Sequence, residues 1–443
     1  MQQPSRLFYG SRRRRPQLAR AEGVHIWDTG GRRWLDGSSG AMVCNIGHSN
    51  PAVLEAMRRQ MEVATFGYRL HFETEPAERL AERLAAIAPE GLGRVFFVSG
   101  GSEAVESALK LARSHALAIG QAQRWKVISR FPAYHGCTLG ALAVTGYAPM
   151  TAPYAPMMVQ MPKVPAPRAW LDGLAQDDPA TGQHYADMLE AQILAEGPET
   201  VLAFIVEPVG GASTGALVPP AGYMARVREI CDRYRVLLIH DEVISGGGRT
   251  GRFLAADHWG VVPDLITISK GFGSGYMPLG ALIARDEIVE AVLDRGSYPH
   301  GFTYSGNPLA CAAGLAVLDE IERKGMLHNA TAMGDLLAAR LRALMQRHEI
   351  VGDVRGMGLL LAFELVADRR SRAPLPADLQ AHDRLVEAAY DEGLILYSRR
   401  SRGGHEGDHF LVAPPMIVTE ADLDEIMEKL DRAMGRFTAE SGL

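Results

Sequence analysis

Cysteine is scarce in this chain: Cys44, Cys137, Cys231 and Cys311 are scattered over 443 positions, and no two form a C-x-x-C pair. That spacing offers no disulfide framework and fits reduced thiols in a cytoplasmic protein. Long apolar runs are missing too, since no stretch approaches the roughly 18 residues that a membrane-spanning helix needs. The 47% hydrophobic and 22% charged content is that of a soluble globular protein. Net charge is −6 over the whole length, with no basic stripe or aromatic platform, which excludes a nucleic-acid surface. One basic block exists, Arg12 to Arg15, but Pro16-Gln-Leu-Ala follows it and no apolar segment does. It reads as a solvated or interface-facing segment, not as a twin-arginine export signal. Internal repeats and low-complexity tracts are also absent. The expected partner is a small molecule.

What the chain does have is a lysine placed for chemistry. Asp264-Leu-Ile-Thr-Ile-Ser-Lys270-Gly-Phe-Gly delivers Lys270 from a short apolar strand into a glycine-rich turn. Desolvated there, its amine would become nucleophilic toward an aldehyde. A second buried-type strand, Arg235-Val-Leu-Leu-Ile-His-Asp241, ends in a carboxylate. In an alternating α/β chain, ligands bind beyond the carboxyl ends of parallel strands, so Asp241 and Lys270 are expected to face one crevice. A third strand, Arg94-Val-Phe-Phe-Val98, runs through Ser99-Gly-Gly-Ser102 into a helix, where free N–H groups, the helix dipole and the Ser102 hydroxyl suit an anion. Amine, acid and anion cradle together specify a cofactor with an aldehyde, a basic ring nitrogen and a phosphate, and pyridoxal phosphate has all three.

The ordered series Phe97-Val-Ser-Gly-Gly-Ser-Glu-Ala104, Tyr134-His-Gly-Cys-Thr-Leu-Gly140, Val206-Glu-Pro-Val209, Ile239-His-Asp-Glu-Val243, Gly248-Arg-Thr-Gly251, Ser269-Lys-Gly271 and Thr303-Tyr-Ser-Gly-Asn-Pro308 resembles the class III (omega-type) aminotransferases of PLP fold type I. The resemblance spans essentially the whole chain. It implies an α/β fold: a large domain with a mixed, mostly parallel sheet flanked by helices, and a smaller discontinuous α+β domain. It implies that Lys270 carries pyridoxal 5'-phosphate as a Schiff base and acts as general acid and base, with pyridoxamine 5'-phosphate as the intermediate form. Asp241 would pair with the ring nitrogen. Tyr134 and Val243 would cover the two ring faces, Gly101 and Ser102 would hold the phosphate, and Thr303 would reach the phosphate of the neighbouring subunit in a homodimer with shared sites. Glu207 matches a glutamate near cofactor and substrate whose role varies among members. The implied reaction moves an amino group from an amine or amino-acid donor to a 2-oxo acid such as pyruvate or 2-oxoglutarate. An aminomutase, a racemase and a decarboxylase on the same fold would share the cofactor residues.

Along the chain, His25–Asp28 and Arg33–Asp36 read as a hairpin about Gly30-Gly31, and helices are expected near 51–62 and 75–87. Strands are expected at 126–129, 202–206, 236–240, 265–269 and 281–284. The resulting boundaries are 1–59 and 323–443 for the two parts of the small domain and 60–322 for the large one. Pro162 to Gln183 reads as a surface excursion. Thr419 with Asp422 predicts the start of a C-terminal helix.

Two literal motifs point elsewhere. His405-Glu406-Gly-Asp-His409 satisfies HExxH, but a zinc hydrolase needs that motif on a helix, and Gly403, Gly404 and Gly407 argue against one. No metal is expected. Gly246 to Gly251 satisfies GxGxxG without the following helix and acidic residue of a dinucleotide site. Substrate choice is less legible. Arg399, Arg400 and Arg402 all lie where pyruvate-using relatives hold a carboxylate, and a solvent-facing loop is an equal reading. Met42, Cys44, Phe66 and Tyr68 fall in regions that line donor pockets in similar enzymes, or else serve the core.

Overall fold

Short apolar segments bounded by glycine and polar turns become strands, and seven of them pair in the order Arg94–Val98, Gly280–Ala284, Leu265–Ile268, Leu237–Asp241, Val201–Val206, Lys126–Phe131 and Lys163–Pro165. The structure, a computed structural model, describes residues 6–443. Gly280–Ala284 runs antiparallel to both its neighbours, while the other pairings are parallel. Val201–Val206 is buried at every position, as a strand covered on both faces must be. On one face, Val105, Ala108 and Ala112 of helix Gly101–Ala118 pack with Ile205 and Ile239. On the other, Leu189 and Ile193 of helix Pro179–Glu196 and Val227 and Ile230 of helix Tyr223–Tyr234 pack with Phe204 and Leu238. Each of the buried valine, leucine, isoleucine and phenylalanine side chains among these is worth about 1.5–3 kcal/mol. The two layers hold the carboxyl ends of the parallel strands in one place.

The expected hairpin is present as His25–Asp28 and Arg33–Asp36, and Leu394–Ile395 from the far end of the chain adds to it in parallel. A further antiparallel sheet contains Val351–Met357, Leu360–Asp368, Glu406–Val412 and Tyr397–Arg402 in that order. The helix Glu420–Ser441 begins with the expected capping box, in which the side chains of Thr419 and Asp422 each accept from the other's backbone N–H. Arg13 and Arg15 of the basic block both reach Glu387 on helix Ala381–Asp391. Among the described residues, no helix is long and apolar enough to cross a membrane.

The sequence reading needs two corrections. The stretch from Pro162 to Gln183 is more than a surface excursion: Val164 and Ala169 are buried, Lys163–Pro165 extends the main sheet, and Asp178 caps helix Pro179–Glu196. Proline and glycine there punctuate structure without ending it. The strand read as 236–240 lies one residue later, which makes Asp241 its final residue. The HExxH stretch is indeed not helical. Glu406–Val412 is a strand, His405 is exposed, and buried His409 bonds through Nε2 to Ala212 O at 2.8 Å. The two histidines have no common ligand point.

Candidate active site

Asp241 and Lys270 leave adjacent parallel strands at the same end of the sheet, Asp241 standing opposite Thr267 in register. Lys270 sits at φ +46° as the chain turns into a single 3-10 turn. A non-glycine residue there is strained, and such strain persists only where the surroundings impose it. The next residue must be glycine, since a Cβ at Gly271 would fall 2.0 Å from Asn45 Nδ2. A close-packed turn therefore fixes the direction of the lysine.

One cavity is lined by Lys270, Asp241, Tyr134, Val243, Glu207 and the Gly101-Ser102 turn. Burial pushes the Lys270 amine down to about 8, against the opposing charges of Asp241 and Glu207 and with help from the Arg399 cation. An amine so depressed is far more often neutral and nucleophilic near neutral pH. Burial pushes Glu207 upward and raises the Tyr134 phenol to about 12. Glu207 is held through Oε1 by the Gly211 N–H at 2.9 Å, and the buried Arg130 guanidinium lies 4.0 Å from Oε2.

Asp241 is buried and firmly oriented. Its Oδ1 accepts from Val243 N at 3.1 Å and from the Thr267 hydroxyl at 3.3 Å, while its Oδ2 lies 2.7 Å from His135 Nδ1. His135, which the sequence reading did not single out, is the side chain that holds this oxygen. It stands 106 positions from Asp241, and its only signal was its place beside Tyr134. Its other nitrogen, Nε2, is buried without a partner among the described residues.

The turn expected to cradle an anion opens a helix. Helix Gly101–Ala118 follows extended Gly100, its first internal bond runs from Ala104 N to Gly100 O, and the Ser102 hydroxyl is oriented by accepting from Cys137 N at 3.1 Å. The N–H groups ahead of Ala104 are left for a ligand. A Cβ on Gly101 would lie 2.7 Å from Val243 Cγ1, so only glycine lets the turn and Val243 approach this closely.

The remaining expected residues divide into near and far. Arg400 is bound to Asp408 Oδ1 at 3.1 Å and Ala377 O at 2.6 Å, and Arg402 to Arg372 O at 2.6 Å. Arg399 has no carboxylate partner among the described residues. It stacks 4.6 Å over the Tyr397 ring, and Nη1 donates to Ser398 O. Met42 is buried with Val209 and Ile244, both of which line the cavity. Phe66, Tyr68 and Thr303 are not among the residues lining the cavity of their own protomer, and Phe66 and Thr303 are exposed.

Comparison with known proteins gives the same direction. The family model described as aminotransferase class-III matches residues 9–434. The diaminobutyrate--2-oxoglutarate transaminase of Halomonas elongata is 37% identical over 94% of this chain and 89% of its own length. The putrescine--pyruvate aminotransferase of Pseudomonas aeruginosa is 35% identical over 93% and 88%. Among solved structures, a PLP-bound amine transaminase from an uncultivated Pseudomonas species superimposes with a TM-score of 0.90 at 34% identity, covering 98% of this chain and 99% of its own. The residues present fit pyridoxal phosphate: a depressed amine, a fixed buried carboxylate and a glycine-walled helix N-terminus border one cavity.

Proposed function

We infer, from the premise that this chain belongs to the class III aminotransferases, that Lys270 and Asp241 are the catalytic pair of a transaminase that passes an amino group from an amine or amino-acid donor to pyruvate or 2-oxoglutarate. The enzyme depends on pyridoxal phosphate, which when bound supplies an electron sink for the bond broken at the donor carbon. The observation that carries the reading is the meeting of a Lys270 amine near pKa 8 with buried Asp241 in one cavity.

Each residue then has a task. Lys270 Nζ would hold the cofactor covalently at rest and, once displaced, would act as the base that takes the proton from the donor carbon and as the acid that delivers it to the cofactor carbon. The same amine works in reverse when the 2-oxo acid is aminated. Asp241, fixed by His135, Thr267 and the Val243 N–H, would present its carboxylate to the ring nitrogen. Tyr134 and Val243, which line the cavity, would confine the ring, Gly101 and Ser102 would hold the phosphate, and Glu207 would adjoin the substrate.

Arg399 is the arginine we assign to the acceptor carboxylate, because Arg400 and Arg402 are already engaged and Arg399 alone acts electrostatically on Lys270. A panel of amine donors run with pyruvate and with 2-oxoglutarate, followed by cofactor colour, tests the function. No amine acceptor among them would overturn it. In the same assay, Arg399→Ala is expected to raise the acceptor KM at least ~10-fold, the loss of one charge-assisted bond of about 1.5–3 kcal/mol. The half-reaction with a donor lacking a carboxylate should change little. An unchanged acceptor KM would contradict the assignment.

The same reading makes the active unit a cytoplasmic homodimer with segments 1–59 and 323–443 forming the small domain around the large domain 60–322. Pairing of Leu35 with Leu394 supports the joining of the two ends, and the unpaired state of the four cysteines supports the location. Thr303, exposed in its own protomer, would complete the partner's phosphate cradle. Thr303→Ala should weaken cofactor retention. Mixed under subunit exchange with Lys270→Ala, it should yield heterodimers with one site intact in both residues. Activity per intact Lys270 that never exceeds that of the Thr303→Ala homodimer would refute sharing.

A further inference from the structure

Asp36, Cys44 and His48 take no part in the reaction described above, yet each offers one ligand atom to a common point, and these atoms all lie within 4.8 Å of one another. We propose that they form a binding site for a divalent transition metal of zinc-like preference, held by a carboxylate oxygen, a thiolate and an imidazole nitrogen, with water in the fourth position. Sulfur and nitrogen donors beside a single carboxylate select against magnesium and calcium, which take oxygen ligands.

The backbone brings the three together for reasons local to the sequence. Asp36 ends the strand Arg33–Asp36 and is fully buried. Its Oδ1 is occupied by the N–H groups of Ser38 at 3.3 Å and Gly40 at 3.0 Å, leaving Oδ2 to face His48 Nε2 at 2.9 Å. Orientation by backbone donors is what a metal-ligating carboxylate requires. His48 is anchored by paired bonds with Gly23, and Cys44 by its N–H to Ser39 O. Metal–ligand bonds of about 2.0–2.3 Å put tetrahedral ligand atoms roughly 3.3–3.8 Å apart, so no pair, all lying within 4.8 Å, would have to close by more than about 1.5 Å, and the Asp36–His48 pair at 2.9 Å must open slightly.

Cys44 and His48 are partly exposed, which gives water access to the open position. Metal ligands bind deprotonated, so uptake of the ion would release protons from the site. One thiolate and one carboxylate then neutralise a dication. The site borders the turn after Lys270: a Cβ at Gly275 would lie 3.3 Å from Cys44 Sγ, and Ile46 N donates to Ser274 Oγ at 3.0 Å. A cluster in which Asp36 and Cys44 serve only to hold His48 would bind no ion.

The test uses the pyridoxal-phosphate-loaded enzyme, stripped with chelator, equilibrated with zinc or cobalt(II) and passed through gel filtration. One zinc per protomer should remain, and cobalt should show the intense visible bands of a tetrahedral site. Cys44→Ser and His48→Gln should each weaken binding at least ~10-fold, while Cys137→Ser, which removes the exposed thiol elsewhere, should bind like the parent. His48→Gln decides the matter if Cys44→Ser does not fold, as judged by circular dichroism. Failure to retain zinc at about micromolar free metal, or parental affinity in the folded variants, would overturn the proposal.

Discussion

Replacing Lys270 by Ala is expected to lower amino-group transfer by at least ~10⁴-fold, the upper range for removing one positioned acid–base group, because the same residue also forms the covalent link to the cofactor. Overall folding should survive. The backbone at Lys270, at φ +46°, lies next to Gly271, whose close packing on Asn45 does not involve the lysine side chain. The variant should bind cofactor only reversibly, so dialysis would remove it. Single-turnover kinetics measures the rate. A residual rate within ~100-fold of the parent would give the proton-transfer role to another residue.

The same lysine carries a stability signature in the apoenzyme. Its folded pKa of about 8 lies below the ordinary 10.5, so between those values the unfolded chain holds more protons than the folded one. Stability from this group therefore rises with pH across the window of about 8 to 10.5 and is lower below it. Lys270→Ala should lack that rise, which chemical denaturation of the two apoproteins across the window measures.

Asp241→Asn is expected to cost at least ~100-fold in turnover, about 2.7 kcal/mol of transition-state stabilisation. The substitution keeps size and can keep a hydrogen bond to His135, but it removes the charge that favours a protonated ring. Cofactor affinity should change far less than turnover, because the cradle at Gly101 and Ser102 and the Lys270 link are untouched. Stopped-flow absorbance of the first half-reaction separates the two quantities. Turnover within ~5-fold of the parent, with cofactor bound, would remove Asp241 from the mechanism.

Legibility in the sequence followed the range of the interactions. Lys270, Asp241 and the Ser99–Ser102 turn were readable because each ends a short apolar strand, and parallel strands in one sheet end together. His135 was not, because its use depends on a carboxylate on a distant strand. Local sequence could not rank Arg399 against Arg400 and Arg402 either. What separates them is Asp408, Ala377 and Arg372, brought in by strand pairing and packing. Thr303 shows the limit of a single protomer, since it is an exposed turn residue with its expected partner on another chain. The stretch from Pro162 to Gln183 misled for the opposite reason: its turn residues are genuine, but Val164 between them is buried by pairing with the Lys126–Phe131 strand. Asp36 and His48 were not singled out in the sequence, and the fold brings their ligand atoms together with that of Cys44.

The most direct test of the central claim is reduction of the purified, yellow enzyme with borohydride followed by peptide mapping. An imine between the cofactor aldehyde and a lysine becomes a stable secondary amine, so the account predicts one pyridoxyl group per protomer on the peptide containing Lys270. Label on a different lysine, or no retained label from fully loaded enzyme, would contradict it.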